Sequence, residues 1–192
     1  MVFGCGYLGR RVAEKAVNAG QVVWATTRSA AKATALDAQG IQPLISDWTD
    51  RRSLENLPAV DQLLVAVSYD RFSRQSRYDS QVGGLRNLLQ AISPTTNVCY
   101  ISTTGVYHQT DGRWVDEASP TRPTREGGRA HLKAEEMLHR LRPESPWTVL
   151  RLAGIYGPGR IPRVADVVAG RPIASAADGY LNLIHVDDAV DA

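Results

Sequence analysis

Three glycines near the amino terminus, Gly4, Gly6 and Gly9, stand at the spacing G-x-G-x-x-G within M-V-F-G-C-G-Y-L-G. An apolar stub, Val2-Phe3, enters the motif, and a helical pattern follows it at once. In that context the first glycine makes a tight turn off a strand. The second lets the backbone approach a pyrophosphate, and the third lets helix and strand pack closely. Free N–H groups at the helix head and the positive end of its dipole then hold the phosphates. Gly4, Gly6, Tyr7, Leu8 and Gly9 are therefore the expected dinucleotide-binding residues. A glycine-rich turn can also bind nothing, but strand stub, helix and start position all favour the nucleotide.

The next residues bear on which dinucleotide. An NAD site usually carries an acid about 20 residues past the glycines, on the adenosine ribose hydroxyls. Here the second strand ends Ala25-Thr26-Thr27-Arg28-Ser29, with no carboxylate. Thr26 and Arg28 are expected to receive a 2′-phosphate, since guanidinium is a bidentate phosphate partner. A solvated arginine is the plainer alternative. NADP is thus expected ahead of NAD. Asp47, in Ser46-Asp47-Trp48, is placed either to accept from the adenine amino group or to cap the following turn. Trp48 reads as packing. Ser68, just past the fourth strand, completes the cofactor set.

The elements that must position these residues alternate. Residues 9–19 form a helix with Val12, Ala13, Ala16 and Val17 on one face, stopped by Gly20. Gln21–Ala25 is a strand, Ser29–Ala38 a helix and Ile41–Ile45 a third strand, and Ser53 caps a short helix before Pro58. Leu63–Val67 is an uninterrupted apolar run, as in a strand covered on both faces. The spacing predicts a helix over 75–92, with Tyr78, Val82, Leu85, Leu88, Leu89 and Ile92 on one stripe. Asn97–Ile101 is the fifth strand and 108–126 a polar loop. A helix over 128–141 turns Ala130, Ala134, Met137, Leu138 and Leu141 inward. Trp147–Leu152 is the sixth strand, and Leu181–Val186 is strand-like. This alternation predicts an α/β protein with a doubly wound parallel sheet, the Rossmann fold, binding ligand at the carboxyl ends of its strands. Residues 1–156 are expected to form the dinucleotide-binding domain. Residues 157–192 are expected to be a small, partly missing C-terminal substrate lobe plus a strand returning to the core. Both ends read as clipped: three residues precede the loop, and the chain stops where a helix should begin.

Composition narrows the partners. The 192 residues carry a net charge of +2 with acids and bases interspersed, which gives no electrostatic case for nucleic acid or an anionic membrane. No apolar run approaches the roughly 18 residues of a membrane span, and no signal peptide is evident. Cys5 and Cys99 do not make a disulfide framework and suit free thiols in the cytoplasm. Cys5 reads as a small filler ahead of a redox thiol. No metal site is expected.

Several stretches together resemble the extended and atypical short-chain dehydrogenase/reductases, the NAD-dependent epimerase/dehydratase family. They are the glycine loop, Ile101-Ser102-Thr103-Thr104-Gly105-Val106-Tyr107, Val115-Asp116-Glu117 before Pro120 and Pro123, Leu150 to Gly159 (L-R-L-A-G-I-Y-G-P-G), and Ile184-His185-Val186-Asp187-Asp188. The resemblance implies a Ser/Thr after the fifth strand that orients substrate, a tyrosine acid/base and a lysine four residues later. Thr103 matches the first. The other two fail: aligned on Gly-Arg and Glu-Glu, Gly127 stands for the tyrosine and His131 for the lysine. Shifting by two residues keeps Lys133 but puts Arg129 where the phenol belongs. Thr103 and His131 are the candidate catalytic residues, His131 because imidazole titrates near neutrality. A structural histidine is the plainer alternative, and Tyr107 and Tyr156 are read as pocket-lining or packing. Two functional readings stay open. One is an NADP-dependent oxidoreductase or epimerase acting on a small hydroxyl/carbonyl substrate such as a nucleotide-sugar. The other is a non-catalytic NADP-binding sensor or scaffold. The helices over 75–92 and 128–141 are candidates for pairing in a homodimer.

Overall fold

Val2 and Phe3 are successive residues of the first strand and both are buried, which requires cover on both faces of the sheet. The computed structural model, which describes residues 1–173 and 179–192, supplies that cover. Six strands, β1 (Val2–Phe3), β2 (Trp24–Thr27), β3 (Gln42–Ile45), β4 (Gln62–Val65), β5 (Asn97–Thr103) and β6 (Trp147–Leu152), form one parallel sheet in the order β3-β2-β1-β4-β5-β6. This is the doubly wound order, reversing between β1 and β4. Pro43 sits on the edge strand β3, where its missing N–H costs least. Helices α1 (Tyr7–Asn18), α2 (Ala30–Asp37), α3 (Gly84–Ala91) and α4 (Glu126–Leu141) pack against the sheet. Beyond β6, β7 (Gly154–Tyr156) and β8 (Leu183–His185) pair in parallel as a separate two-stranded sheet, with α5 (Val164–Val168) between them. The last helix, α6 (Val186–Asp191), packs against α1, and Lys15 pairs with Asp191.

Apolar clusters cover both faces of the sheet, and a third joins Leu8, Leu152, Val186 and Ala189. The first joins Phe3, Leu63, Val65, Val98 and Tyr100 to Leu85 and Leu88 of α3 and Ala134, Met137 and Leu138 of α4. The second joins Val2 and Ala25 to Ala13, Leu36 and Ile41. Trp48 belongs to the first cluster, stacked on Phe3, and Gly84 leaves room for its indole.

Several details differ from the sequence expectation, the first being the second strand, which lies at Trp24–Thr27 and not at Gln21–Ala25. The helix over 75–92 is not one regular α-helix: it runs over 77–91 and contains a π-helical turn, Asp79–Gly83. Ser80, Gln81 and Val82 within that turn are all buried. The π turn rotates the start of the helix away from the stripe, so Tyr78 is exposed. Leu141, at the frayed end of α4, is exposed too. The short helix before Pro58 is a 3-10 turn, Arg51–Leu54, capped by Asp50 and not by Ser53.

Candidate functional site

The loop between β1 and α1 has the shape its glycines dictate. Gly4 has φ +96, and its N–H donates to the Thr26 hydroxyl at 2.9 Å. The Gly6 N–H donates back to the Gly4 carbonyl at 2.8 Å, which closes the turn. Gly6 is the N-cap of α1, which receives no side-chain cap and has no acidic residue in its first turn. A Cβ on Gly6 would meet nothing within 4 Å, so the approach to these amides is open. Uncapped amides, an unopposed dipole and an open approach fit a pyrophosphate. Leu8 and Gly9 are buried where α1 crosses β1, and Tyr7 turns away, its hydroxyl donating to the Pro158 carbonyl at 3.0 Å.

A cavity of about 540 Å³ opens beside this loop, a size suited to a nucleotide. It gathers Gly4, Gly6, Thr26, Arg28, Asp47 and Ser68 from the expected cofactor set. Thr26 is nearly fully buried, and its hydroxyl is directed at the glycine loop, shaping it. Asp47 accepts from both the N–H (2.9 Å) and the hydroxyl (2.7 Å) of Thr49, so it caps the turn as well as facing the cavity. Arg28 is met by two carboxylates: Nη2 donates to Asp70 at 2.9 Å, and Nη1 lies 3.8 Å from Asp47. Sequence reasoning missed Asp70, because no motif ties the loop after β4 to the end of β2.

Thr103 and His131 are not among the lining residues of that cavity. The Thr103 hydroxyl accepts from the Gly105 N–H at 3.0 Å, capping the 3-10 turn Thr104–Val106. His131 is held at 2.8 Å, through Nδ1, by the Tyr100 hydroxyl. Gly127 has ordinary van der Waals room, and the nearest group is the Arg77 guanidinium, whose Nη1 lies 3.8 Å from a built Cβ. That guanidinium stacks on Tyr69 at 4.2 Å. Gly128 is a different case, because a Cβ there would strike the Gly105 carbonyl; its absence lets α4 press against the turn after β5.

Beneath this face, Glu135 is buried and receives three groups. The Ser102 hydroxyl donates to it, and Arg151 donates through Nε at 3.2 Å and Nη2 at 2.7 Å. Arg151 Nη1 also donates to the Tyr107 hydroxyl at 3.0 Å, which donates to the Asp116 carbonyl at 2.8 Å. The network ties β5, α4, β6 and the polar loop together. The sequence offered Glu135 and Arg151 only as landmarks of an alignment.

Burial pushes the His131 pKa below its ordinary value, with the Arg77 charge adding to the fall and Glu135 opposing it. The unfolded chain therefore takes up a proton at this residue near pH 6.5 while the folded chain resists. Stability from this source is intact above about pH 6.5 and is lost as the pH falls below it. A His131→Gln variant is expected to lose less stability than the parent between pH 7 and 5, as read by urea unfolding at each pH. Equal losses would contradict the burial account. Burial likewise raises the Cys5 thiol to about 11. At neutral pH that leaves about a hundredfold less thiolate than an ordinary cysteine holds. Iodoacetamide at pH 7.4 is expected to leave Cys5 unmodified in the folded protein and to alkylate it in urea, followed by peptide mass mapping.

A doubly wound sheet with an uncapped glycine-loop helix at its switch point defines a dinucleotide-binding protein of the Rossmann class. The whole chain, residues 1–192, matches the NAD dependent epimerase/dehydratase family, and the protein belongs to it. It is 36% identical over 95 residues to protein YeeZ of Escherichia coli, a stretch that is 50% of this chain and 33% of YeeZ. A Methylobacillus flagellatus structure described as an NAD-dependent epimerase/dehydratase superposes with a TM-score of 0.76 at 33% identity, over 99% of this chain and 66% of that one. The UDP-glucuronic acid 4-epimerase of Bacillus cereus, solved with UDP-glucuronic acid and NAD, shares the fold: TM-score 0.73 at 20% identity, over 98% of this chain and 69% of that one. The chain thus spans less than two thirds of YeeZ and of the Methylobacillus protein. Among the described residues no helix is long and apolar enough to cross a membrane. No group of three or more His, Cys, Asp or Glu is placed among them to hold a metal.

Proposed function

We propose that this chain is the nucleotide-binding part of an NAD(P)-dependent oxidoreductase or epimerase acting on a hydroxyl/carbonyl substrate of the nucleotide-sugar class. The observation that carries the reading is the uncapped head of α1, open above Gly6 and facing the 540 Å³ cavity. A bound nicotinamide would supply hydride transfer. The chain's own residues do the rest. Amides at the start of α1 hold the pyrophosphate, and Arg28, Asp47 and Ser68 surround the adenosine end. The Thr103 hydroxyl orients a substrate oxygen. His131, whose pKa burial lowers, shares a hydrogen bond with the Tyr100 hydroxyl. Residues 1–156 are assigned to the nucleotide domain and 157–192 to part of a substrate lobe, whose returning strand β8 pairs with β7 across that boundary and not with the six-stranded sheet. The nucleotide-sugar class is supported by the substrate named for the Bacillus neighbour. Two free thiols, Cys5 and Cys99, suit a reducing cytoplasm.

A second reading, a non-catalytic nucleotide sensor, is favoured by one observation. At position 127 there is no phenol, and Arg77 borders the space. One experiment separates the two. NADH and NADPH fluorescence titration is expected to show binding, and a turnover screen over UDP-sugars and small carbonyls is expected to show cofactor oxidation or, for an epimerase, which returns its cofactor unchanged, an inverted sugar centre. Binding with no turnover across the panel would leave the sensor standing. No binding of either nucleotide would remove both.

A further inference from the structure

The cation meant for a 2′-phosphate already has an anion on it. Asp70 reaches Arg28 from the loop after β4, 42 residues further along the chain. Its placement is fixed at both oxygens: Oδ2 accepts from Arg28 at 2.9 Å and Oδ1 from the Phe72 N–H at 3.0 Å. Asp47, the second carboxylate near Arg28, is held at Oδ1 alone, by the Thr49 N–H and hydroxyl. Arg28, Asp47, Asp70, Ser29 and Lys32 all line the one cavity. Two anchored carboxylates balance the Arg28 and Lys32 charges, so the cavity keeps no net positive charge for a phosphate. A phosphate brought to Arg28 must compete with Asp70 for the guanidinium and lie beside both acids. A ribose 2′-hydroxyl meets the opposite situation, because it can donate to a carboxylate that is already in place.

We propose that Asp70 sets the choice of nucleotide: by occupying Arg28 it reserves the adenosine end of the cavity for a free 2′-hydroxyl, so that NAD is bound in preference to NADP. This rests on the dinucleotide reading above. It reverses the preference that Arg28 alone suggests.

Asp70→Asn tests it, since the amide keeps the shape and removes the charge. Dissociation constants for NADH and NADPH are measured by fluorescence titration on the parent, D70N, and D70N combined with Arg28→Ala. In the parent NADH is expected to bind more tightly. D70N is expected to tighten NADPH by about fivefold, the scale of an exposed ion pair, and to weaken NADH by about two- to fivefold, because the 2′-hydroxyl loses a charged acceptor. The gain shrinks at high salt and disappears when Arg28 is also removed. If both nucleotides bind and D70N leaves their ratio unchanged, or if the parent already prefers NADPH, the role of Asp70 is overturned and dinucleotide binding stands. If neither nucleotide binds to any of the three proteins, the dinucleotide reading fails and this proposal falls with it.

Discussion

A Gly9→Val variant is expected to lose about 3 kcal/mol or more of stability, and with it nucleotide binding. In most helices replacing glycine by a residue with a side chain is mildly favourable, because glycine costs about 1 kcal/mol relative to alanine. At Gly9 that gain is overwhelmed. A Cβ would strike the Gly4 carbonyl oxygen and lie 2.9 Å from Val2 Cγ1, and the first of these is backbone that cannot rotate away. Relief requires α1 to lift from β1, which opens the packing of Leu8 and Ala13. Thermal unfolding should register a fall of about 6–12 °C for a chain of this size. Gly6→Ala is the informative contrast. Its φ is −92 and its built Cβ meets nothing, so the melting temperature should hold. The methyl group instead stands where the pyrophosphate must approach, and losing one amide contact to a charged group should raise the nucleotide Kd at least about tenfold. A valine at 9 that melts like the parent would refute the packing argument; an alanine at 6 that binds like the parent would refute the phosphate grip.

The second large effect is expected at Glu135. Truncation to alanine leaves the Arg151 guanidinium and the Ser102 hydroxyl facing a void in the core, and orphaning one member of a buried ion pair costs about 3–5 kcal/mol. The Glu135 side chain is 5% exposed and that of Arg151 22%, so some water reaches the arginine and the lower end applies. Removing both charges together, as Glu135→Leu with Arg151→Met, should recover most of the loss, because the pair's attraction only repays its desolvation. Urea unfolding of the two single variants and the double variant measures this directly. If the double variant is as unstable as the sum of the singles, the network does not act as a pair. The position matters for the site as well, since Glu135 joins the strand that ends in Thr103 to the helix that carries His131.

Much of this architecture is legible in the chain because its cause is local. The strand order follows from alternating apolar runs and amphipathic stretches, each decided within about ten residues. Trp147–Leu152 is observed with the boundaries its pattern predicts. Misreadings fall where a local pattern meets a non-local demand. The stripe over 75–92 is real for Val82, Leu85, Leu88 and Leu89, yet Tyr78 leaves it because the π turn that buries Gln81 shifts the register. No periodicity marks such a turn; the Val67 carbonyl that Gln81 reaches lies on another segment. Glu135 shows the same limit, since a carboxylate on an amphipathic helix reads as solvated until Arg151 arrives from β6.

What the sequence determined by itself was the phosphate loop. Its turn closes within five residues, through the Gly6 N–H on the Gly4 carbonyl and the close approach of Gly9 to the same carbonyl. Only the tertiary structure decided what surrounds Arg28. No carboxylate stands beside it in the chain, and the sequence reads it as a free cation. Folding brings Asp70 and Asp47 to it from the ends of two other strands, because a parallel sheet gathers its strands' carboxyl ends at one edge. A charge's neighbours in space, not along the chain, fix what it can bind.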